Sequence, residues 1–335
     1  MSAVRAATAD TPAWKVWHDP EEPIRVGIST CLLGQKVRYD GGHKRDAYLT
    51  EVLGSWVTWV PVCPEVGIGL GIPRPTIRLE GTPGSSRLRD PKSGLDLTES
   101  MTDYAERRVA ELAAEDLDGY VLKKDSPTCG MERVRVWGDA GQPDRRGVGV
   151  YARVLMDRLP LLPVEEEGRL NDPVLRENFI QRLFSRHRWR SVVRRGLTRG
   201  RLVEFHTAHK LVLRAHNETA YRRLGRLVAS AGSRPDAELF AAYAEEFHTA
   251  LRSRATTKRH ANVLYHAAGY LKRVLDTDGR RELTGVIEDY RNGLVPLVVP
   301  ITLLRHHAHR QRIDYLLGQL YLEPHPKELM LRNRV

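Results

Sequence analysis

Short apolar runs alternate with amphipathic stretches along roughly the first half of the chain. Four runs, at 24–30, 57–62, 119–123 and 147–154, have the length and composition of buried strands. Residues 98–116 carry apolar side chains at helical spacing, and Asp96 with Glu99 three positions on predicts a capped helix start. This alternation predicts a parallel sheet. The segment 76–88, interrupted by GTPGSS, predicts a hairpin or a flap over a functional site.

After residue 171 the pattern becomes helical throughout, with about seven amphipathic stretches up to residue 321. Pro160, Pro163 and the stretch EEEGR mark a boundary near residue 165. The predicted fold is therefore α/β, with an N-terminal Rossmann-like parallel-sheet domain followed by an all-α helical domain. The predicted bounds are 1–23 for a flexible lead-in, 24–165 for the first domain and 170–335 for the second.

The length of 335 residues agrees with two domains. No apolar run approaches the roughly 18–20 residues that span a bilayer. The N-terminus has no apolar stretch of the signal-peptide type, and an odd number of cysteines favours a reducing compartment. We therefore predict a cytoplasmic protein with no membrane partner, and the sequence does not indicate an oligomeric state.

Charge is unevenly divided between the two halves. Residues 1–168 have 22 Lys and Arg against 26 Asp and Glu, a net of −4, whereas residues 169–335 have 31 against 16, a net of +15. Arginine pairs with phosphates and stacks on bases, so the second half is predicted to bind RNA or DNA. The alternative is a solvated helical surface from a genome that favours arginine codons.

The densest basic stretch surrounds Trp189. Its candidate RNA-facing residues are Arg186, Arg188, Arg190, Arg194, Arg195, Arg199 and Arg201. Lys123 and Lys124, at a strand end in the first half, are further candidates for holding an anionic group. For all of these the alternative is a solvated, self-repelling surface.

Three cysteines, Cys31, Cys63 and Cys129, each follow an apolar run and lie 32 and 66 residues apart. Parallel strands bring their carboxyl ends to one edge, so the three thiols are expected to meet. Ordinary buried thiols are the alternative. The dispersed spacing matches neither a ferredoxin run nor a structural zinc site, and an iron–sulfur cluster with one open iron, acting as a Lewis acid, fits best.

Other chemistry-bearing side chains accompany the cysteines. Glu65 lies two residues after Cys63 and is a candidate to position water and move protons, while Ser126 is a candidate donor to a substrate oxygen. Two histidine groups lie in the helical half, and for both we expect satisfied or RNA-facing histidines rather than a metal site. The first group is His206, His209 and His216; the second is His306, His307 and His309.

Three motifs in order, STCLLG with RYDG, VCPEV with GLGIPRP, and LKKDSPTCG, resemble the TudS-like thiouracil desulfidases over roughly residues 24–160. The resemblance implies that the three cysteines bind a 4Fe–4S cluster whose fourth iron has no protein ligand. It also implies a non-redox hydrolysis in which water replaces the thiocarbonyl sulfur, with Glu65 and Ser126 as the acid/base and substrate-positioning residues. Many members have another cysteine just before RYDG, where this chain has Val37.

The second half resembles the YbgA-type helical domain over about residues 190–335, through HKLVLRAHN, RHANVLYHAAGYLK and YLEPHPKELMLRN. The fused architecture is similar to the RudS-type tRNA 4-thiouridine desulfidases. This resemblance implies conversion of 4-thiouridine in tRNA to uridine with release of sulfide. Two alternatives stay open: desulfidation of free thiouracil or thiouridine monophosphate, and an iron–sulfur RNA-binding sensor without turnover.

Overall fold

The computed structural model describes residues 11–19, 21–138 and 141–334. The chain divides into two compact units. One, the α/β unit, comprises Pro23–Asp172, and the other, the helical unit, combines the segment before Pro23 with the chain after Asp172. The predicted order of an α/β domain and an all-α domain is confirmed.

The α/β unit is built on two four-stranded sheets. Its strands are β1 (Arg25–Ser29), β2 (Thr58–Val62), β3 (Arg78–Glu80), β4 (Arg87–Arg89), β5 (Gly119–Leu122), β6 (Val134–Trp137), β7 (Pro143–Gly147) and β8 (Val164–Glu166). The larger sheet is wholly parallel in the order β2-β1-β5-β8, and the smaller sheet is mixed in the order β4-β3-β6-β7. Its helices are α2 (Pro64–Gly67), α3 (Thr98–Ala114) and α4 (Val150–Arg158), after a short α1 (Ala13–Val16) before the unit.

Burial on both faces explains why β1 and β5 lie at the centre of the larger sheet. All four residues of β5 are buried, as are four of the five in β1, and parallel sheets read as continuous apolar runs for this reason. Gly27 lets the ring of Tyr120 pass across β1, since a Cβ there would fall 2.2 Å from a ring carbon. Three of the four predicted strands, at 24–30, 57–62 and 119–123, are confirmed within a residue at each end.

The fourth predicted strand, at 147–154, is wrong. Helix α4 occupies most of it, and β7 ends at Gly147, where the prediction began. Tyr151, Ala152 and Leu155 bury one face of α4 in the core with Met101 and Val109 of α3. Tertiary packing on α3 therefore decides between two periodicities that a short apolar run does not distinguish.

The predicted hairpin at 76–88 is confirmed, because β3 and β4 pair antiparallel. It is not a flap over the cysteines: β3 also pairs with β6, and the buried Leu79 and Leu88 tie the hairpin to the core below α3. Helix α3 begins at Thr98, and its N-cap residue is Leu97 rather than the predicted Asp96. The Asp96 side chain still accepts the backbone N–H of Thr98 at 3.0 Å.

The helical unit has seven helices of 12 or more residues in its described part. They are α5 (Pro173–Arg194), α6 (Arg199–His216), α7 (Glu218–Ala229), α8 (Asp236–Arg252), α9 (Thr257–Gly269), α10 (Thr277–Arg291) and α11 (Val298–Arg310), followed by a single turn, α12 (Asp314–Leu317). Thr198, Asn217, Thr256 and Asp276 cap α6, α7, α9 and α10 through side-chain oxygens. No helix among the described residues is long and apolar enough to cross a membrane.

The predicted flexible lead-in at 1–23 needs a correction in its second half. Trp14 is buried, and the Trp17 ring packs edge-on against Phe205 at 5.7 Å. Asp19 accepts from Arg195, which ties this segment to the end of α5. The indole rings of Trp14 and Trp17 supply apolar area that packs this segment onto the helices, although most of its other residues are polar. Residues 1–10 lie outside the described residues.

Candidate active site

The three cysteines converge because their strands are neighbours. Cys31 lies two residues after β1, in a short 3₁₀ turn at Thr30–Leu33, and Cys63 directly follows β2. Cys129 follows β5 by way of a loop that begins at Lys123. Since β2, β1 and β5 are adjacent and parallel, their carboxyl ends share one edge of the sheet. The loop at Cys129 is closely packed, because a Cβ on Gly149 would fall 2.4 Å from the Thr128 carbonyl oxygen.

A cavity of about 600 Å³ opens at this edge, and all three cysteines line it. Glu65 and Ser126, both predicted as site residues, line it as well. So do the predicted anion-holding residues Lys123 and Lys124. The sequence-derived grouping of these seven residues around one site therefore agrees with the geometry.

Burial raises the pKa of every one of the three thiols. The pKa of Cys31 rises to about 11, that of Cys63 rises above its ordinary value, and that of Cys129 rises furthest. Nearby cations oppose the shift: Lys123 and Arg38 act on Cys31, and Arg74 acts on Cys63. The site thus buries three potential thiolates and partly offsets their charge with cations.

The donor set consists of three cysteine sulfurs, which are the usual ligands of iron–sulfur clusters. Nowhere in the described ranges do three His, Cys, Asp or Glu side chains stand close enough to hold one metal ion. A cluster separates its thiolate ligands further than a mononuclear ion does, and cysteine thiolates are its usual ligands. Three sulfur donors that line one cavity are therefore compatible with a cluster, which would have one iron free of protein ligands.

Glu65 is held at both carboxylate oxygens. Arg74, whose side chain is 4% exposed, donates to Oε2 through Nε at 3.1 Å and also through Nη2. Thr128 donates its hydroxyl to Oε1 at 2.9 Å. Arg74 also donates to the carbonyl oxygen of Val37 at 3.0 Å, so it joins Glu65 to the loop after Cys31. Charge-assisted bonds of this kind are strong and fix the position of a carboxylate.

Ser126 continues this network rather than pointing freely at a substrate. Its Oγ accepts the backbone N–H groups of Cys129 at 3.1 Å and Thr128 at 3.3 Å. Its Oγ lies 2.9 Å from Oγ1 of Thr128. Since the Thr128 proton goes to Glu65, Ser126 is the donor to Thr128. A hydroxyl chain therefore runs from Ser126 through Thr128 to the Glu65 carboxylate.

The EEEGR stretch forms part of the site instead of a solvent-exposed boundary. Its first two glutamates belong to β8, which the apolar pattern did not predict. Glu167 pairs with the Lys123 ammonium and accepts the backbone N–H of Lys124 at 2.8 Å. The charge of Lys123 is therefore balanced by Glu167. Lys124 is exposed, and its aliphatic chain packs over Gly168, where a Cβ would fall 2.4 Å from the Lys124 Cδ.

The basic stretch around Trp189 is largely engaged within the helical unit. Arg188 does not face RNA: it is 1% exposed, donates to the Pro324 carbonyl oxygen, and burial lowers its pKa to about 9. Trp189 is buried too, and it stacks on Tyr243 at 5.4 Å. The apolar face of α5 takes these two residues inward, so this part of the prediction is wrong.

The other predicted arginines lie nearer the surface. Arg186 and Arg190 are half-buried on α5, and Arg194 pairs with Glu22 at 3.4 Å. Arg199 pairs with Asp236 at 2.7 Å. Arg201 donates to the carbonyl oxygens that end α5, at Arg195 and Gly196. A role for these arginines in RNA binding stays a prediction. Several of them already pair with carboxylates or donate to backbone carbonyl oxygens just after α5.

The histidines of α6 are core residues. Nδ1 of His206 bonds to the Tyr243 hydroxyl at 3.1 Å, that of His209 to the Phe205 carbonyl at 2.8 Å, and that of His216 to the Ser253 carbonyl at 2.6 Å. Burial lowers the pKa of all three, to about 4 for His206 and His216. They are neutral core histidines that each bond through Nδ1, close to the satisfied outcome expected, although Nε2 of His209 is buried with no hydrogen-bond partner among the described residues. His306, His307 and His309 lie near the end of α11, and they form no metal-holding group among the described residues.

Sequence reasoning missed Arg74, Thr128 and Glu167. Arg74 stands within the motif GLGIPRP, and Thr128 adjoins Cys129. The adjacency of Thr128 to a candidate ligand was the one signal available for it. Glu167 lies 44 residues from Lys123, and only the pairing of β5 with β8 brings the two together.

Comparison with known proteins agrees with this geometry. Residues 26–167 match the sequence model of the 2-thiouracil desulfurase family, and residues 210–326 match that of a family described as a protein of unknown function, DUF1722. The uncharacterized protein YbgA of Escherichia coli is 33% identical over 153 residues, 45% of this chain and 90% of YbgA. The uncharacterized protein YbbK of Bacillus subtilis is 29% identical over 108 residues, 31% of this chain and 71% of YbbK.

Among solved structures, a 4Fe–4S-dependent thiouracil desulfidase, TudS, is 32% identical and matches with a TM-score of 0.38. The match covers 44% of this chain and 93% of TudS. The desulfurase match encloses all three cysteines, Glu65 and Ser126. The chain therefore belongs to the family of YbgA and carries a 2-thiouracil desulfurase domain over residues 26–167.

Proposed function

We propose that this protein is a desulfidase that converts 4-thiouridine in tRNA to uridine, with a 4Fe–4S cluster held by Cys31, Cys63 and Cys129. One observation carries the proposal. A carboxylate fixed by Arg74 and Thr128 faces the same cavity as three converging cysteines, inside a desulfurase domain. The cofactor proposed is the one named for TudS.

The chemistry is a replacement of sulfur by oxygen at one carbon. One water supplies the oxygen of the product carbonyl, and its two protons leave with the sulfur as hydrogen sulfide, so no electrons are gained or lost. When bound, a cluster with one iron free of protein ligands would supply a Lewis acid for the thiocarbonyl sulfur. The remaining tasks belong to side chains of the cavity.

Glu65 acts as the base in this scheme. Its carboxylate accepts a proton from the water that attacks the carbon, and Arg74 holds it in place beforehand. The hydroxyl chain from Ser126 through Thr128 donates to the same carboxylate, so it helps to hold Glu65 in place. Because the pKa values of the thiols are raised, binding of a cluster would have to displace their protons.

The charge of the helical half supports an RNA substrate. The net of +15 in residues 169–335 provides the sequence-independent attraction that phosphates require. A base within tRNA must leave its stack to enter the cavity, at a cost of a few kcal/mol that phosphate contacts offset. Free thiouracil and thiouridine monophosphate need no such attraction.

The test uses protein whose cluster is assembled without oxygen. Wild-type protein and Glu65→Gln are incubated with 4-thiouridine-containing tRNA, and loss of the thiocarbonyl absorbance and release of sulfide are followed together. We expect turnover by wild type and a loss of about 10²- to 10⁴-fold in E65Q, the range for a removed general base. Iron content and the visible spectrum of E65Q should match wild type, because Glu65 is not a ligand.

Free 4-thiouridine serves as the competing substrate. Faster turnover of the nucleoside than of tRNA would transfer the assignment to small thiolated pyrimidines. Salt-sensitive tRNA binding without any sulfide release would instead favour an RNA-binding sensor. Equal activity of E65Q and wild type would remove the role given to Glu65.

A further inference from the structure

A second cavity, of about 580 Å³, lies on the outer face of the smaller sheet. It shares no lining residue with the cysteine cavity and is lined by Arg78, Arg87, Arg89 and Trp137, with Glu80 between them. No residue assigned to the desulfidase reaction lines it.

Strand register explains why these side chains share a face. Arg78 pairs with Arg89 and Glu80 with Arg87 across the hairpin, and Glu80 pairs with Trp137 of β6. Residues between them in sequence, such as Leu79, point the other way into the core. The sheet is therefore apolar inside and cationic outside.

The arginine face, as we call it, extends beyond the cavity. Arg135 is two residues before Trp137 on β6, and Arg145 and Arg146 stand opposite it, where the register with β7 shifts at a bulge. Among the described residues the face holds six arginines, which are Arg78, Arg87, Arg89, Arg135, Arg145 and Arg146. Three carboxylates oppose them, those of Glu80 and Asp96 beside the hairpin arginines and that of Asp144, which pairs with Arg146.

Its charge contrasts with that of the unit around it. Residues 23–172 carry 21 Lys and Arg against 23 Asp and Glu, a net of −2, whereas the face has an excess of three positive charges. Arg135 and Arg145 are exposed, and within the described chain no carboxylate pairs with either. A cationic concentration on an otherwise acidic unit attracts a polyanion.

Trp137 distinguishes the kind of polyanion. The Arg78 guanidinium lies 5.2 Å from the centroid of the half-buried Trp137 ring. Unpaired bases stack on aromatic rings and on guanidinium planes, and a sheet face with such rings beside cations is a common way to hold single-stranded RNA. An acidic polypeptide would use the charges but not the ring.

The face is close to the cysteine cavity along the chain. Arg74 lines the first cavity and Arg78 the second. Four residues span at most about 14 Å between their Cα atoms. The two cavities are therefore close enough for a single RNA strand to reach both with a few nucleotides between them.

We propose that the arginine face docks a single-stranded part of the RNA substrate, with phosphates against its arginines and a base on the Trp137–Arg78 pair. The proposal rests on the proposed function for the identity of the RNA. It assigns part of RNA binding to the α/β unit, where the net charge of the sequence gave no indication of it.

The experiment compares full-length, cluster-loaded variants with 4-thiouridine-containing tRNA as the probe. The double variant Arg135→Glu with Arg145→Glu removes two unpaired charges, and Trp137→Ala removes the ring. Arg107→Glu is the control. Arg107 is exposed on α3, and α3 packs against the core side of the smaller sheet, away from the arginine face. Binding is measured over a range of salt, and turnover is measured with tRNA and with free 4-thiouridine.

We expect the double variant to bind tRNA at least tenfold more weakly, with a salt slope shallower by about 1 to 2. W137A should bind about tenfold more weakly at an unchanged slope. Both variants should turn over free 4-thiouridine at the wild-type rate, and R107E should behave as wild type.

A double variant whose tRNA affinity and salt slope equal those of R107E would overturn the docking proposal while leaving the desulfidase proposal intact. Weaker binding in the double variant but not in W137A would overturn the assignment to RNA bases and indicate a general polyanion surface. If wild type binds tRNA without turnover and the variants still weaken binding, the docking proposal stands and the desulfidase proposal fails.

Discussion

The hydroxyl chain at Glu65 is tested most directly by Thr128→Val. Thr128 is fully buried, and valine has nearly the same shape but neither donates to Glu65 nor accepts from Ser126. A hydrogen bond to a charged group contributes about 1.5–3 kcal/mol. Converted at about 1.4 kcal/mol per factor of ten, loss of this bond in the transition state predicts a fall in kcat of about 10- to 150-fold.

The assay is single-turnover desulfidation with cluster-loaded T128V, T128S and wild type. Thr128→Ser keeps the hydroxyl, so we expect it to stay close to the wild-type rate. Oγ1 of Thr128 also lies 3.7 Å from the Cys129 sulfur, so iron content and the visible spectrum are recorded for each variant. If T128V holds as much iron as wild type and reacts at the wild-type rate, the prediction is refuted, because Glu65 would then not need the hydrogen bond from Thr128.

Three further predictions concern stability and the packing of the site. Arg188→Met should keep the unfolding free energy or raise it by up to about 3 kcal/mol in urea titrations, because a buried cation without a carboxylate is removed; it should also leave the salt slope of tRNA binding unchanged, and a shallower slope would contradict burial. The free energy of unfolding should fall as pH drops from 6.5 to 4, because His206 binds a proton in the unfolded chain but stays neutral when buried in the folded one. The loss due to this residue should be about 3 kcal/mol. If His206→Gln loses as much stability over this pH range as wild type, the prediction is refuted. Gly149→Ala should destabilise the loop at Cys129 and lower iron retention, measured by iron content after gel filtration, and normal retention would show that the loop can move away from the new Cβ.

Three of the four strands of the larger sheet and the meeting of the cysteines could be predicted from the sequence because both depend on local patterns. Short apolar runs identify β1, β2 and β5, and the parallel arrangement then brings Cys31, Cys63 and Cys129 to one edge. The helical half follows from periodicity over stretches of 12 or more residues. These signals need no knowledge of distant partners.

The sequence failed where burial depends on a distant partner. A run of three glutamates reads as solvent-exposed, yet Glu165 pairs with Arg169, Glu166 accepts the Met131 N–H at 2.7 Å and Glu167 pairs with Lys123. Charged groups are buried when each has a partner, and those partners come from other segments of the chain.

The net charge of each half, a property of the sequence alone, indicated a basic partner-binding half and an acidic catalytic half. Tertiary structure decided which of those charges remain available. It buried Arg188, used Arg201 to cap the end of α5, and gathered Arg78, Arg135 and their neighbours onto one face of the acidic half. Composition sums charges over a segment, whereas a binding surface depends on which side chains the fold leaves exposed and unpaired on the same side.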